Sequence, residues 1–407
     1  MSGPLEGVRV LDLTSVGFGP YACQLLGDYG ADVIKVEAPE GDITRGIYPF
    51  VNPGMGHFYM MANRNKRAVV LDLKQDSARA AMLKMVETAD VLMTSVRPAA
   101  MSRLGLGYDD CAKINPRLIY VSLVGFSQEG PYGPQPAYDD IIQGLSGMAD
   151  MQGGRSGTPR FVNASVCDKI CSQFAVHATT SALYARERSG EGQHVEVPML
   201  ESMVGFNLVE HSSGQTFEPT LGPAGYERSM VEYRRPYATA DGFVCVLPYN
   251  TRQWRAFFAL MERDEMHDDV RITDAKKRSE SIGELYSMVA KCVAAWNTAE
   301  LLQALKQADV PSGRATPLGE LQEDPQLKAI GLFEKLEHAT EGTVRMVRPA
   351  VGFSKTPQSI RSLPQQLGEQ SVDVLRAAGI DDATIDAMLE AGATVDGRLD
   401  SQSEAAE

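Results

Sequence analysis

The sequence predicts an α/β fold: a doubly wound sheet of parallel strands in a large domain, then a smaller α+β domain. Three observations predict it. VRVLDL (8–13) and VIKVE (33–37) are short apolar runs on either side of a helical stretch, the layout of a βαβ unit. The same rhythm continues through AVVLDLK (68–74), ADVLMTS (89–95) and LIYVSLVGF (118–126), with Gly- and Pro-bearing loops between. From about residue 213 it breaks off, and a polar stretch to Arg235 gives way to a hairpin and short helices.

Taken in order, the first strand leads into a turn over 14–20 and a helix from about Tyr21 to Tyr29, closed by Gly30. A helix over 76–88 separates the third and fourth strands. After Tyr138 a helix is expected to about Asp150, then the loop QGGRSGTPR (152–160). A long helix follows behind Asp168, where Ile170, Phe174, Ala175, Ala178, Ala182 and Leu183 recur near helical spacing. A strand over 194–199 and a helix over 199–211 come next. In the smaller domain RPYATADGFVCVLP (235–248) turns at Asp241–Gly242, and helices are expected near 251–262, 280–296 and 298–308. A second hairpin turns at Glu341–Gly342, ahead of helices at 369–378 and 381–391, and SQSEAAE (401–407) reads as disordered. The segments are thus 1–212, 213–325 and 326–407.

At 407 residues the chain is long enough for two domains. Its net charge of −14, from 39 basic and 53 acidic residues, argues against a nucleic-acid partner. An anionic ligand would need a local basic pocket, because the overall field opposes it. No apolar run approaches the roughly 20 residues of a membrane span, and the N-terminus has no signal-peptide pattern. Of six cysteines only Cys167 and Cys171 are close, one helical turn apart rather than in a CxxC motif. The six histidines show no paired-ligand spacing. The composition reads as a cytoplasmic protein with reduced thiols, no metal and no membrane partner.

Four stretches carry candidate chemistry. Gly17-Phe18-Gly19-Pro20-Tyr21-Ala22, with Glu37 ending the second strand, is similar to a dinucleotide fingerprint, in which the acid would bind a ribose. Pro20 removes a backbone N–H where a pyrophosphate would want donors, so the firmer inference is a ligand-facing turn at a strand's C-terminal end. Arg64, Lys66, Arg67 and Lys74 cluster about the third strand, and Arg45, Arg97 and Arg103 recur near other strand ends. This is either a solvated face or a rim for a polyanion such as a nucleotide phosphate. Tyr138, Asp139 and Gln143 stand around a helix start, serving packing or function. Asp168 lies at a helix N-terminus, with Ser165 three residues upstream as an alternative cap. Asp168 is either a cap alone or a nucleophile that the helix dipole keeps ionised.

Together these motifs resemble the class III CoA-transferases. The matching stretches are PLEGVRVLDLT (4–14), GPYACQLLGDYGADVIKVEAPEGD (19–42), NRNKRAVVLDLK (63–74), SVRPAAMSRLGLGY (95–108), YDDIIQGLSG and the VCD around Asp168. DVPSG (309–313), EDPQLKAIGLF (323–333) and LGEQSVDVLRAAGI (367–380) carry the likeness almost to the end of the chain.

The resemblance implies a Rossmann-like large domain that takes in the C-terminal segment, a small domain from the middle of the chain, and a homodimer of interlocked rings. It implies that Asp168 attacks an acyl-CoA thioester, passing through an aspartyl anhydride and an aspartyl-CoA thioester to a carboxylic acid acceptor. Coenzyme A is then substrate and product, and a dicarboxylic pair with succinyl-CoA as donor is the expected chemistry. By the same resemblance Val16 and Gly17 flank the CoA and acyl group. Leu71, Asp72, Leu73 and Lys74, with Ser95, Val96 and Arg97, line adenosine and pantetheine. Arg103 meets a CoA phosphate, and Ala137, Tyr138 and Asp139 lie near the thioester.

Departures are informative. Gly17 stands where formyl-CoA transferases carry glutamine, and Ala38 where they carry arginine. GPAGYERSM (222–230) does not match their glycine-rich loop, which makes oxalate a poor substrate expectation, and Gly368-Glu369-Gln370-Ser371 lacks the histidine of their GEHT. The α-methylacyl-CoA racemases share the fold but pair a histidine with an aspartate. This chain reads Pro136-Ala137-Tyr138-Asp139 there, without histidine, which favours transfer over racemisation, and a non-catalytic acyl-CoA-binding protein is the other alternative.

Overall fold

The computed structural model describes residues 3–154 and 157–398. The disorder expected over 401–407 lies outside the described residues. The chain divides into two compact units, Met1–Ser146, Asn163–Gly205 and Lys328–Glu407 in one, and Gly147–Val162 and Phe206–Leu327 in the other.

The first unit is built on a six-stranded sheet of β1 (Arg9–Leu13), β2 (Asp32–Glu37), β3 (Lys66–Val70), β4 (Val91–Thr94), β5 (Ile119–Val124) and β6 (Gln193–Pro198). Its order is β3-β2-β1-β4-β5-β6 and every pairing is parallel. The chain winds outward from β1 to β3, then back across to β4. The C-terminal ends of β1 and β4 therefore part around a crevice, where open α/β sheets bind ligands.

The helices are α1 (Phe18–Asp28), α2 (His57–Ala62), α3 (Asp76–Val86), α4 (Pro98–Arg103), α5 (Tyr108–Ile114), α6 (Asp139–Leu145), α7 (Met148–Gly153), α8 (Val166–Ser189) and α9 (Met199–His211). Three expectations are corrected. Helix α1 starts at Phe18 rather than Tyr21, because Pro20 falls in a first turn where its missing N–H has no intrahelical role. Strand β3 ends at Val70 rather than Lys74: Leu71 N–H still donates to Glu37 O, but Asp72 N–H turns to Ala393 O. The helix expected from Tyr138 to Asp150 is two helices, broken at Gly147, whose φ of 80° lies in the left-handed region.

Beyond β6 come α10 (Glu227–Met230), β7 (Tyr237–Ala238), β8 (Phe243–Val246), α11 (Thr251–Leu260), α12 (Val270–Thr273), α13 (Ala275–Glu280), α14 (Ile282–Val293), α15 (Thr298–Gln307) and β9 (Ser312–Arg314). Strands β7, β8 and β9 form an antiparallel sheet, the first pair being the hairpin expected about Asp241–Gly242. Trp254, Phe257, Phe258, Leu285 and Tyr286 fill the core of this second unit. Helix α11 starts at a reciprocal capping box between Asn250 and Gln253.

The chain then adds α16 (Pro325–Ala329), the hairpin β10 (Phe333–His338) and β11 (Gly342–Val347), and helices α17 (Ser371–Ala377) and α18 (Asp382–Glu390). Val372, Leu375, Ile385 and Met388 join Leu11, Ile34, Val69 and Leu92 in one core, so the C-terminal helices complete the sheet's own unit. No helix among the described residues is long and apolar enough to cross a membrane.

Candidate active site

The parallel strands carry charges where apolar residues belong. Asp12, Lys35 and Lys66 sit inside β1, β2 and β3, and all are buried. Lys66 Nζ donates to Asp12 Oδ2 (2.8 Å), Asn63 Oδ1 (2.7 Å) and Pro20 O (2.8 Å). Lys35 Nζ donates to Asp42 Oδ2 (3.0 Å) and Thr14 O (2.9 Å). Such pairs stand when hydrogen bonds offset the cost of burial, and Lys66 has three acceptors and Lys35 two. They hold the turn between β1 and α1. Val16 N–H donates to Asp42 Oδ1 at 3.3 Å, and Val16 has φ 69°, a left-handed conformation that a β-branched residue adopts under strain. This network was invisible to motif reading, although buried-strand charges in β1, β2 and β3 could have signalled it.

The turn brings Gly17 against Asp168. A Cβ at residue 17 would stand 2.5 Å from Asp168 Oδ2 and 3.3 Å from the Phe58 ring, so the glycine leaves the carboxylate its room. Asp168 is the third residue of α8, whose Ser165 makes no side-chain cap. The cap comes from Asp139 instead: its Oδ2 accepts Asp168 N–H at 2.9 Å, and its Oδ1 accepts Gln143 Nε2 at 2.6 Å. Gln143 Nε2 also donates to Ala164 O at 3.2 Å, tying α6 to the approach to α8.

This arrangement corrects the expectation that the helix keeps Asp168 ionised. Burial first, and the neighbouring Asp139 carboxylate second, push Asp168 up from 3.8 to about 7, against a small opposing pull from Lys169. A helix N-terminus is worth about 0.3–1 kcal/mol to a carboxylate, less than one pH unit, and here it is outweighed. The result is a carboxylate of unusually high basicity that is still half ionised near neutral pH.

Two cavities meet at Gly17 and Asp168. One, of about 250 Å³, is also bordered by Val16, Ser95, Arg97, Ala137 and Tyr138. The other, of about 470 Å³, lies on the side of Tyr21, Phe58 and Met61. No histidine borders either among the described residues. A larger cavity of about 850 Å³ in the second unit holds none of the candidate catalytic or CoA-binding residues.

The expected site residues fall into two groups. Val16, Gly17, Ser95, Arg97, Ala137, Tyr138 and Asp168 share the first cavity, with Asp139 directly behind Asp168. Val96 and Arg103 are exposed near β4 and in α4. Leu71 is buried in the core, with Asp72 and Leu73 half-buried and Lys74 exposed after β3. The basic rim is smaller than expected. Arg45 pairs with Glu37 (2.7 Å), Arg64 with Asp28 (2.7 Å), Lys66 with Asp12 and Arg67 with Asp32 (2.7 Å), which leaves these cations structural. Glu37, held by Arg45, is likewise not presented to a ribose. Lys74, Arg97 and Arg103 make no ion pair among the described residues and remain available to an anion. No cluster of three or more His, Cys, Asp or Glu suited to a metal occurs among the described residues.

The family model for CoA-transferase family III matches residues 5–371. A succinate–glutarate CoA-transferase of Agrobacterium fabrum is 36% identical over 384 residues, 91% of this chain and 95% of that protein. An acetyl-CoA:oxalate CoA-transferase of Acetobacter aceti is 34% identical over 82% of this chain and 86% of its own. Among solved structures, a CaiB/BaiF family protein from Brucella suis superposes with a TM-score of 0.79 at 28% identity, covering 93% of this chain and 100% of that one. With matches of this extent on both sequence and fold, the chain belongs to CoA-transferase family III and is a class III CoA-transferase.

Proposed function

We propose that the enzyme moves CoA between a dicarboxylyl-CoA and a carboxylic acid, with Asp168 as the nucleophile. Succinate and glutarate, named for the Agrobacterium fabrum relative, are the acids this reading takes first. The observation that carries it is the Asp168 carboxylate, raised in basicity and open to two cavities beside Gly17.

The Asp168 carboxylate oxygen attacks the thioester carbonyl carbon, the C–S bond breaks, and CoA leaves as thiolate with an anhydride on Asp168. The thiolate then attacks the aspartyl carbonyl, freeing the donor acid as carboxylate and leaving an aspartyl-CoA thioester. The acceptor carboxylate attacks that thioester, expelling the thiolate again and forming a new anhydride. The thiolate takes the acceptor's acyl group and Asp168 is regenerated. Dividing one transfer into these steps lowers each barrier. The first-turn N–H groups of α1, which a helix leaves without internal partners, supply donors for the tetrahedral oxyanions beside Gly17. Val16, Gly17 and 137–139 would frame the thioester, 71–74 and 95–97 the adenosine and pantetheine, and Arg103 a CoA phosphate.

The strand order 3-2-1-4-5-6 supports a Rossmann-like description of the large domain, built from 1–146, 163–205 and 328–407 rather than 1–212 and 326–407, with 147–162 and 206–327 rather than 213–325 as the small domain. The same reading makes the enzyme an interlocked homodimer and a cytoplasmic protein. Its six free cysteines are in keeping with a reducing compartment. Racemisation is disfavoured because a second proton carrier opposite Asp168 would be needed, and no histidine borders its cavities among the described residues.

Incubation with succinyl-CoA followed by hydroxylamine or borohydride, then peptide mass analysis, should mark Asp168 and no other carboxylate. An unmodified Asp168 in protein that is turning over would end the proposal.

A further inference from the structure

Asp168 must meet a thiolate and an acid in alternation, so the two reactants need separate approaches to one carboxylate. The cavity beside Ser95 and Arg97 suits the thioester arm. The 470 Å³ cavity that shares Gly17 and Asp168 with it is not needed to hold the thioester. Besides Asp168 and the adjacent Lys169 it is lined by the apolar or aromatic Tyr21, Leu25, Phe58 and Met61 and by Arg348 and Gln358.

Its charges are unbalanced. Arg64 is occupied: Nε and Nη2 make a fork to Asp28 at 2.9 and 2.7 Å, and Nη1 donates to Val347 O at 2.6 Å. Asp28 is therefore already neutralised, and it also accepts from Asn65 at 2.8 Å. Arg348 has no such partner. Its side chain makes no hydrogen bond or ion pair among the described residues, and its Nε is buried and unsatisfied. Gln358 Nε2, on the same cavity, is buried and unsatisfied too. Yet the backbone that carries Arg348 is fixed on both sides, by the Arg64 bond to Val347 O and by Arg348 N–H donating to Leu332 O at 2.9 Å. A buried Nε without an acceptor is costly, and a carboxylate is the ligand that matches the fork of a guanidinium.

We propose that this cavity is the acid subsite, and that Arg348, with Gln358, binds the distal carboxylate of an aliphatic dicarboxylic acid whose other carboxylate reacts at Asp168. Arg348 is thus a specificity-determining residue. The inference rests on Asp168 as nucleophile.

The test compares glutarate with pentanoate, which has the same carbon count and a single carboxylate, as acceptors from succinyl-CoA. In a double-displacement reaction kcat/KM for the acceptor is independent of the donor, so the ratio isolates the distal carboxylate. Arg348→Met should lower the glutarate-to-pentanoate ratio by about 10- to 100-fold, the range of one charge-assisted pair. Arg348→Lys should restore part of it. An unchanged ratio in Arg348→Met, or a wild type with no preference for glutarate, overturns the proposal. Asp168→Asn is run alongside: turnover by that variant overturns the nucleophile reading instead, independently of the ratio. If Arg348→Met moves neither acid, or the wild type moves neither, calorimetric titration of glutarate into CoA-loaded protein decides. Binding at least ten-fold weaker in Arg348→Met supports the subsite, and equal binding overturns it.

Discussion

Replacing Asp168 by asparagine should stabilise the protein, increasingly as pH rises from about 4 to 7. In the fold this carboxyl titrates near 7 instead of 3.8. Below 3.8 both folded and unfolded chains carry it protonated, and it contributes no difference. Between 3.8 and about 7 the unfolded chain ionises while the folded one holds its proton, so stability falls as pH rises. Above 7 the full penalty applies. The interval of about three pH units, at 1.36 kcal/mol each, is about 4 kcal/mol. Because the side chain is partly exposed, solvent screening reduces this to about 2 kcal/mol. For 407 residues the unfolding entropy is about 0.85 kcal/mol/K, so the melting point should rise by about 2 °C at pH 8 and by almost nothing at pH 4.5. Differential scanning calorimetry of both proteins across that range, with transferase activity lost at every pH in the variant, is the expected pattern. An equal melting shift at both pH values would refute burial as the source of the raised basicity.

Other consequences are more local. The acid limb of kcat/KM for the acyl-CoA should fall near pH 7, and Asp139→Asn, which keeps an oxygen for the Asp168 N–H but removes the charge, should move that limb to lower pH in a pH–rate profile. Gly17→Ala should cut transferase activity at least ten-fold with an unchanged circular dichroism spectrum, because its methyl group meets the Asp168 carboxylate. Lys66→Met leaves Asp12 buried without its cation and should destabilise the fold by about 3–5 kcal/mol in urea melts. Arg97→Ala and Arg103→Ala should each weaken CoA binding by roughly three- to ten-fold in titrations at low salt, with the difference shrinking as salt is raised.

What sequence reading reached depended on how local the cause was. The strands of the large sheet are continuous apolar runs, so their existence was legible, and so was the reversal of texture after residue 213. Boundaries failed where a distant segment intervened: the run from β3 does not continue to Lys74 because Ala393 O takes the Asp72 N–H. The basic cluster misled because its partners are remote, Asp28 lying 36 residues from Arg64 and Asp12 lying 54 from Lys66. The place of Asp168 in the first turn of a long helix was legible. Its basicity was not, since that arises from burial and from Asp139, 29 residues away, which also replaces Ser165 as the cap.

The outer margin of the large sheet has a bearing on how the chain acquires its shape. Beside β3, Ala68 N–H donates to Gln370 Oε1 at 2.8 Å, Gln370 N–H returns to Ala68 O at 3.2 Å, and Val70 N–H donates to Ser371 Oγ at 3.0 Å. Once β3 has been made, some 300 further residues must be synthesised before this border is sealed. Until then β3 is an open template for neighbouring chains. Slowed synthesis of the intervening stretch, or truncation before residue 370, should therefore surface as aggregation rather than as a mere loss of catalysis.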